Sequence, residues 1–304
     1  VSGLSFNDNC VDIKVKPGSK PGGLISVQIE PETSYITIIN KCKTTSLKSK
    51  HYYSLYRKPF TNQINLKGFV WSKAKPTKEW MTIHNPPLYL ATVFKEILED
   101  KNIRITGEAR VINKSDINIR IKQHKLVATT SSLRQSITVA NKRSQGFYAE
   151  QILKTLGAII KKEGTFSGGL AVISDFITKL GIQEDHYHLD DGSGLSKKNK
   201  LTPEMFTRLL RYMYKHKNAG IFLKSLPIAG TDGTLKKRLK EEPYKSRIRA
   251  KTGYVNGTST LSGYVKTVDE EIIAFSILVN KIKGGAWQAK RLQDIICRSL
   301  VTYN

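Results

Sequence analysis

The chain has 304 residues, enough for one large domain or two ordinary ones, and 39% of them are hydrophobic, so a sizeable core can be buried. No apolar run reaches the roughly 18 residues a membrane-spanning helix needs, and residues 1–9 lack the basic-then-apolar pattern of a secretion signal. The net charge of +25 (50 Lys and Arg against 25 Asp and Glu) attracts polyanions, be they nucleic acid, an acidic membrane surface or an anionic cell wall; but the basic clusters at 41–50, 73–78, 197–200 and 236–240 show neither aromatic interleaving nor a nucleic-acid motif, so they read as a Lys-rich soluble surface rather than a dedicated nucleic-acid site.

Strand patterns come first in chain order. Alternation of Val11, Ile13 and Val15 predicts a strand over 10–15, and further strands are predicted over 25–29, 35–39 and 64–71, punctuated by Pro and Gly pairs. A helix is predicted over 87–100, with Pro87 in its first turn and Leu88, Val93, Ile97 and Leu98 as its apolar stripe. A strand-like pattern returns over 111–127. Of the three cysteines, Cys10 and Cys42 either pair in an oxidising compartment or stay buried thiols, and the spacing with Cys297 fits neither a zinc ribbon nor a CxxC redox motif.

Composition changes near Thr129, which predicts a β-rich region over 1–128 and a second domain over 129–304. Helices are predicted over 132–141, over 147–161 (Tyr148, Ile152, Leu153, Leu156 and Ile159 inward), over 168–180 and over 203–215. Thr202 caps the last of these, with Pro203 and Glu204 in its first turn. Strands over 247–253, 258–266 and 270–279 and a helix over 286–301 close the chain. The fold class is therefore α+β: an antiparallel sheet with helices, preceded by a β-rich region.

The chemistry concentrates at Lys251-Thr252-Gly253, at the end of a strand. A cation, a hydroxyl and a residue without a side chain suit recognition of a carboxylate: charge from Lys251, a donor from Thr252, and close approach of a helix or ligand at Gly253. Alone, the tripeptide is weak. Its surroundings make it specific. Residues 250–255 (Ala-Lys-Thr-Gly-Tyr-Val) and 261–265 (Leu-Ser-Gly-Tyr-Val), Asp191-Gly192-Ser193-Gly194-Leu195-Ser196 followed by Asn199 and Leu201, the run Leu-Pro-Ile-Ala-Gly-Thr-Asp-Gly-Thr-Leu over 226–235, the run Asn-Lys-Arg-Ser-Gln-Gly-Phe-Tyr-Ala-Glu over 141–150, and Asn7-Asp8-Asn9-Cys10 occur in order. Together they resemble the class C low-molecular-mass penicillin-binding proteins, a family of serine D-alanyl-D-alanine carboxypeptidases and endopeptidases.

That resemblance implies acyl transfer on the D-Ala-containing stem peptides of peptidoglycan, in the periplasm, with β-lactams as acylating mimics and no cofactor. It implies that a Ser in an SxxK motif attacks and its Lys takes the proton. Ser144 then relays a proton to the leaving amine, Lys251 orients Ser144, Thr252 binds the terminal carboxylate, and Tyr254 lends its N–H to the oxyanion. Peripheral association with membrane or cell wall fits the charge; oligomeric state stays open. Two departures stand out. Gly146 occupies the place of the SxN Asn, which removes an amide contact to substrate and to the catalytic Lys. The SxxK segment belongs before Val1 in such proteins, so the chain is expected to start inside the inserted domains, and to be inactive without that segment; Ser72-Lys73-Ala74-Lys75 has the spacing but reads as a surface coincidence. A non-catalytic peptidoglycan-binding relative is the alternative.

The remaining polar motifs read as structure. Asp190 and Asp191 suit a turn, His186 and His188 lack a well-spaced third metal ligand, and Asp232 suits a loop organiser. Glu150 either supports the Ser144 helix from inside or is a plain surface or first-turn carboxylate.

Overall fold

The computed structural model describes residues 1–112 and 128–303. Apart from its first two residues, which are irregular, the strand-like pattern predicted over 111–127 lies outside the described residues. The chain forms two compact units, Val1–Lys125 and Leu126–Asn304.

Two three-stranded sheets build the amino-terminal unit. In the first, β1 (Cys10–Lys16) lies between β2 (Ser26–Glu30) and β6 (Thr77–Thr82), all antiparallel. In the second, β5 (Gln63–Trp71) lies between β3 (Thr37–Thr45), which runs parallel to it, and β4 (Tyr52–Arg57), which runs antiparallel. The alternation read from the sequence turns Val11, Ile13 and Val15 into one core with Ile64, Leu66 and Val70 of β5. Helix α1 (Pro86–Asp100) adds Tyr89 and Val93 to that core. Its stripe is thus shifted from the expected one, and Ile97 is exposed. Asn7, Asp8 and Asn9 all have positive φ, a left-handed turn that Asn and Asp tolerate because their short polar side chains bond locally.

Strand β3 starts two residues later than predicted and runs on to Thr45, because its second half hides Cys42 and Thr44 between exposed lysines. Strands β4 and β6 carry no prediction. Both are edge strands, and each keeps a polar or exposed residue at every other position. Cys10, Cys42 and Cys297 are free thiols, with Cys42 buried in the first core and Cys297 in the second.

The carboxy-terminal unit is layered. Its sheet has the order β7 (Ile248–Val255), β8 (Thr258–Lys266), β9 (Ile272–Val279), all antiparallel. On one face Ile248, Ala250, Leu261 and Val265 pack with Cys297 and Val301 of α7 (Trp287–Val301). On the other, Tyr264 packs with Leu210 of α5 (Pro203–Lys215) and with Leu226, just after a short helix, Ala219–Ser225. The Tyr264 hydroxyl donates to the Leu210 carbonyl at 2.7 Å, which satisfies the one polar atom this ring brings inside. Thr202 caps α5 as its sequence predicts, accepting from the Met205 N–H at 3.2 Å. Three further helices are α2 (Leu133–Lys142), α3 (Gly146–Leu156) and α4 (Phe166–Lys179). Beyond α3 the chain loosens into a π turn over Gly157–Lys161, which leaves Ile159 exposed instead of inward.

Candidate active site

The site grows from the outer edge of β7. Along its first half that edge is paired: Ala229 N–H donates to the Ile248 carbonyl at 3.0 Å, and Ala250 N–H donates to the Pro227 carbonyl at 3.0 Å. There the covering segment turns away. In an antiparallel strand, alternate residues turn both backbone groups to the same side. The N–H groups of Thr252 and Tyr254 therefore face the same outer edge as those of Ile248 and Ala250, past the point where the cover ends.

A tight turn between α2 and α3 faces this edge. Ser144 sits in it at φ 52°, a left-handed conformation unusual for Ser. Three contacts hold the turn. Asn141 donates to the buried Ser225 hydroxyl at 2.8 Å, Lys142 pairs with Asp232 at 2.5 Å, and the other Asp232 oxygen accepts the Ile228 N–H at 2.9 Å. Because Ile228 also bridges Arg249 of β7, the turn is fixed relative to the strand through the loop over 226–235.

The result is a contact across 107 residues of sequence: Lys251 Nζ donates to Ser144 Oγ at 2.6 Å, and also to the Thr252 carbonyl at 2.6 Å. Thr252 Oγ1 donates to Thr234 Oγ1 at 2.8 Å. Burial pushes the Lys251 ammonium down to about 8. Such an amine holds a proton loosely near neutral pH, and an arriving carboxylate stabilises its charged form. Tyr254 follows with its side chain exposed. At Gly253 the strand pairing itself is close. A Cβ there would lie 2.3 Å from Oγ1 of Thr260, its partner on β8, so the close neighbour is the next strand.

Gly146 opens α3, and a Cβ on it would lie 3.0 Å from the Ser193 Cβ. The loop carrying Ser193 rests on the first turns of α3. Buried Glu150 accepts from the N–H groups of Gly192 (3.2 Å) and Ser193 (3.0 Å), so its role is to seat this loop. Asp191 organises the loop from within, accepting from Ser193 Oγ, Asn199 Nδ2 and the N–H groups of Gly194, Leu195 and Ser196. Burial alone would raise its carboxyl, but the bonds from Asn199, Ser193, Ser196 and Gly194 hold it below the ordinary carboxylate range.

Ser144, Lys251 and Thr252 thus form one hydrogen-bonded chain, with Gly253 and Tyr254 next along the strand and Gly146 turned to Ser193. Thr234 joins this chain without having been singled out in the sequence; its signal is the Asp-Gly-Thr of the 226–235 run. Ser72-Lys73-Ala74-Lys75 lies in a turn after β5 in the other unit, not on a helix that would bring Ser and Lys to one face.

This fold is that of a penicillin-recognising protein. Over 99% of this chain and 71% of the other, it superposes on penicillin binding protein 4 (dacB) of Haemophilus influenzae, solved in complex with a β-lactam, with a TM-score of 0.79 and 21% identity. The chain belongs to the D-Ala-D-Ala carboxypeptidase 3 (S13) family, whose profile matches residues 1–298. It is 28% identical to a D-alanyl-D-alanine carboxypeptidase of Actinomadura sp. (strain R39), over 99% of this chain and 56% of that protein. With the D-alanyl-D-alanine carboxypeptidase DacB of Haemophilus influenzae it shares 23% identity, over 94% of this chain and 60% of that one. The chain therefore spans a little over half the length of the curated relatives it matches.

Proposed function

We propose that this protein is a serine D,D-carboxypeptidase/endopeptidase that cleaves D-Ala-containing peptidoglycan stem peptides through an acyl-enzyme, and that β-lactams acylate it as substrate mimics. The observation that carries the reading is the 2.6 Å contact between Lys251 and Ser144 beside the open edge at Thr252. On this reading the terminal carboxylate of the peptide lies against Thr252 Oγ1 and the Lys251 ammonium. The attacking hydroxyl belongs to an SxxK segment of the kind the family carries; its proton passes to the SxxK Lys as the bond to the carbonyl carbon forms. The Tyr254 N–H faces the resulting oxyanion. As the C–N bond breaks, Ser144 passes a proton to the departing D-Ala amine, and water later cleaves the ester. No step calls for a cofactor. The unit over 1–128 serves as an auxiliary region and that over 129–304 as the transpeptidase-like domain, and the periplasm is where the substrate occurs.

Labelled penicillin tests the reading on the full-length gene product. A covalent adduct that is lost in Lys251→Ala is the expected result, and a parent protein that forms no adduct sinks the proposal. Gly146 favours a second reading, a peptidoglycan-binding relative without turnover, since a missing amide contact commonly lowers such rates by roughly hundredfold or more. Retention on cell-wall sacculi without any adduct or peptide release would select it.

A further inference from the structure

The outer face of the β3–β5–β4 sheet takes no part in this chemistry. The inner face belongs to the first core, which buries Cys42, Leu66 and Val70 and has Tyr53 and Leu55 packed against it. Side chains alternate along a strand, so the residues between these point outward. The register sets Lys43, Phe69 and Tyr52 abreast in one outward row, Lys41, Lys67 and Ser54 in the next, and Tyr56 beside Asn65 beyond them. All three lysines are exposed. So are the rings, Phe69 to 44%, Tyr56 to 57% and Tyr52 to 75%. None of the three strands contains an Asp or Glu. Elsewhere lysines find carboxylates, as Lys78 does with Asp12 at 3.0 Å and Lys161 with Asp175 at 2.8 Å; Lys41, Lys43 and Lys67 form no ion pair among the described residues. At the end of the sheet the Lys48 ammonium stands 5.5 Å over the Trp71 ring, which adds a further cation and ring.

We propose that this sheet face docks on an anionic lipid bilayer. Rings gain by leaving water, and Tyr and Lys each carry an apolar body with a polar tip. At a membrane surface the rings rest at headgroup level while the ammonium groups reach lipid phosphates. A face that carries cations and no carboxylate complements that surface. Lysines alone would suit any polyanion, a linear anionic wall polymer included. Such a polymer gives the exposed Phe69 ring nothing in place of water; a bilayer does. Single-stranded nucleic acid would use both features, by pairing phosphates and stacking bases. The choice of lipid over nucleic acid rests on the peptidoglycan reading above, which puts the protein in the cell envelope; the composition of the face does not.

The test is co-sedimentation of the full-length protein with vesicles of mixed phosphatidylglycerol and phosphatidylcholine, with phosphatidylcholine vesicles and the oligonucleotide poly(dT) as comparisons, alongside acylation by labelled penicillin. Binding to the anionic vesicles alone is expected. A lysine beside an anionic leaflet contributes about fivefold, so the triple variant Lys41→Gln, Lys43→Gln, Lys67→Gln should bind about a hundredfold more weakly. Phe69→Ser with Tyr52→Ser should weaken binding about tenfold. A control triple in the other unit, Lys215→Gln, Lys217→Gln, Lys224→Gln, removes the same charge from exposed positions and should stay within about threefold of the parent. All these side chains are exposed, so their removal leaves the fold intact, and the acylation rate of the parent should be kept. No sedimentation, equal loss in the control triple, unchanged binding in the ring variant, or tighter binding of poly(dT) than of vesicles each overturns the proposal. Vesicle binding without a penicillin adduct in the parent supports the docking face and sinks the catalytic reading instead.

Discussion

Lys251 shows how much one buried charge decides. Its folded-state value of about 8 lies below the 10.5 of a free Lys. Between those two pH values the unfolded chain holds a proton that the folded chain has released, so this residue adds stability as pH rises through the window and carries its full cost below pH 8. Lys251→Met removes that cost. Urea unfolding should therefore show the variant gaining on the parent at pH 7, with the gain shrinking toward pH 10.5. The same group predicts a split in kinetics. For a peptide ending in a free carboxylate, KM should rise above pH 8 as Lys251 loses its charge, while an amidated peptide should show no such rise. Gly146 allows a complementary prediction. Gly146→Asn alone must displace Ser193, whose Cβ stands 3.0 Å from the new Cβ. Paired with Ser193→Gly, which removes that obstacle, the Asn should speed acylation by labelled penicillin about tenfold or more over the parent. A double variant no faster than the parent would show that the amide contact is not what this site lacks. The roles of Lys251 and Ser144 were suggested by motif, because a short motif encodes a local shape. Thr234 was not, since its contact with Thr252 depends on how a loop meets a strand edge 18 residues later.

At the scale of elements, the site depends on one loop lying on one helix. Glu150 projects from α3 and binds two successive N–H groups of the loop, and Asp191 shapes the loop that those N–H groups belong to. Removing a buried acceptor leaves its donors unsatisfied and costs about 1–3 kcal/mol, more when the acceptor is charged. Glu150→Ala should accordingly speed amide exchange at Gly192 and Ser193 and slow acylation, while exchange in β1 and β5 stays as in the parent. Elements with strong periodicity and caps were legible in the sequence: α5 starts at the Thr202 cap, and β8 spans its predicted range, Thr258–Lys266. Elements defined by their neighbours were not. Edge strands β4 and β6 bury one side only in part, so their alternation is faint. Strand pairing also hides patterns from any linear reading. It sets Lys43, Phe69 and Tyr52 abreast, with Lys41 beside Lys67 in the adjacent row, and so interleaves basic and aromatic residues that lie far apart along the chain.

Across the whole molecule, each unit rests on a core of its own, and the two cores predict different consequences for similar mutations. Ile13 is fully buried in β1, packed among Val11, Val15, Ile64 and Leu66. Leu261 is fully buried in β8, where its strand partner on one side is Thr252 of the candidate site and on the other Ile277. Truncating either to Ala deletes buried methyl groups and leaves a cavity that close-packed surroundings fill only in part, a cost of about 2–5 kcal/mol in each case. Because Ile13 and Leu261 share no core, the local damage should separate. Hydrogen exchange should quicken in β1, β2 and β6 for Ile13→Ala and in β7, β8 and β9 for Leu261→Ala. Acylation by labelled penicillin should fall only in the second, since a void beneath β8 loosens the strand that holds Lys251 and Thr252 while the first leaves that strand packed. A fall of equal size in Ile13→Ala would mean that the amino-terminal core takes part in shaping the acylation site, and the division of labour proposed for the two units would have to be given up.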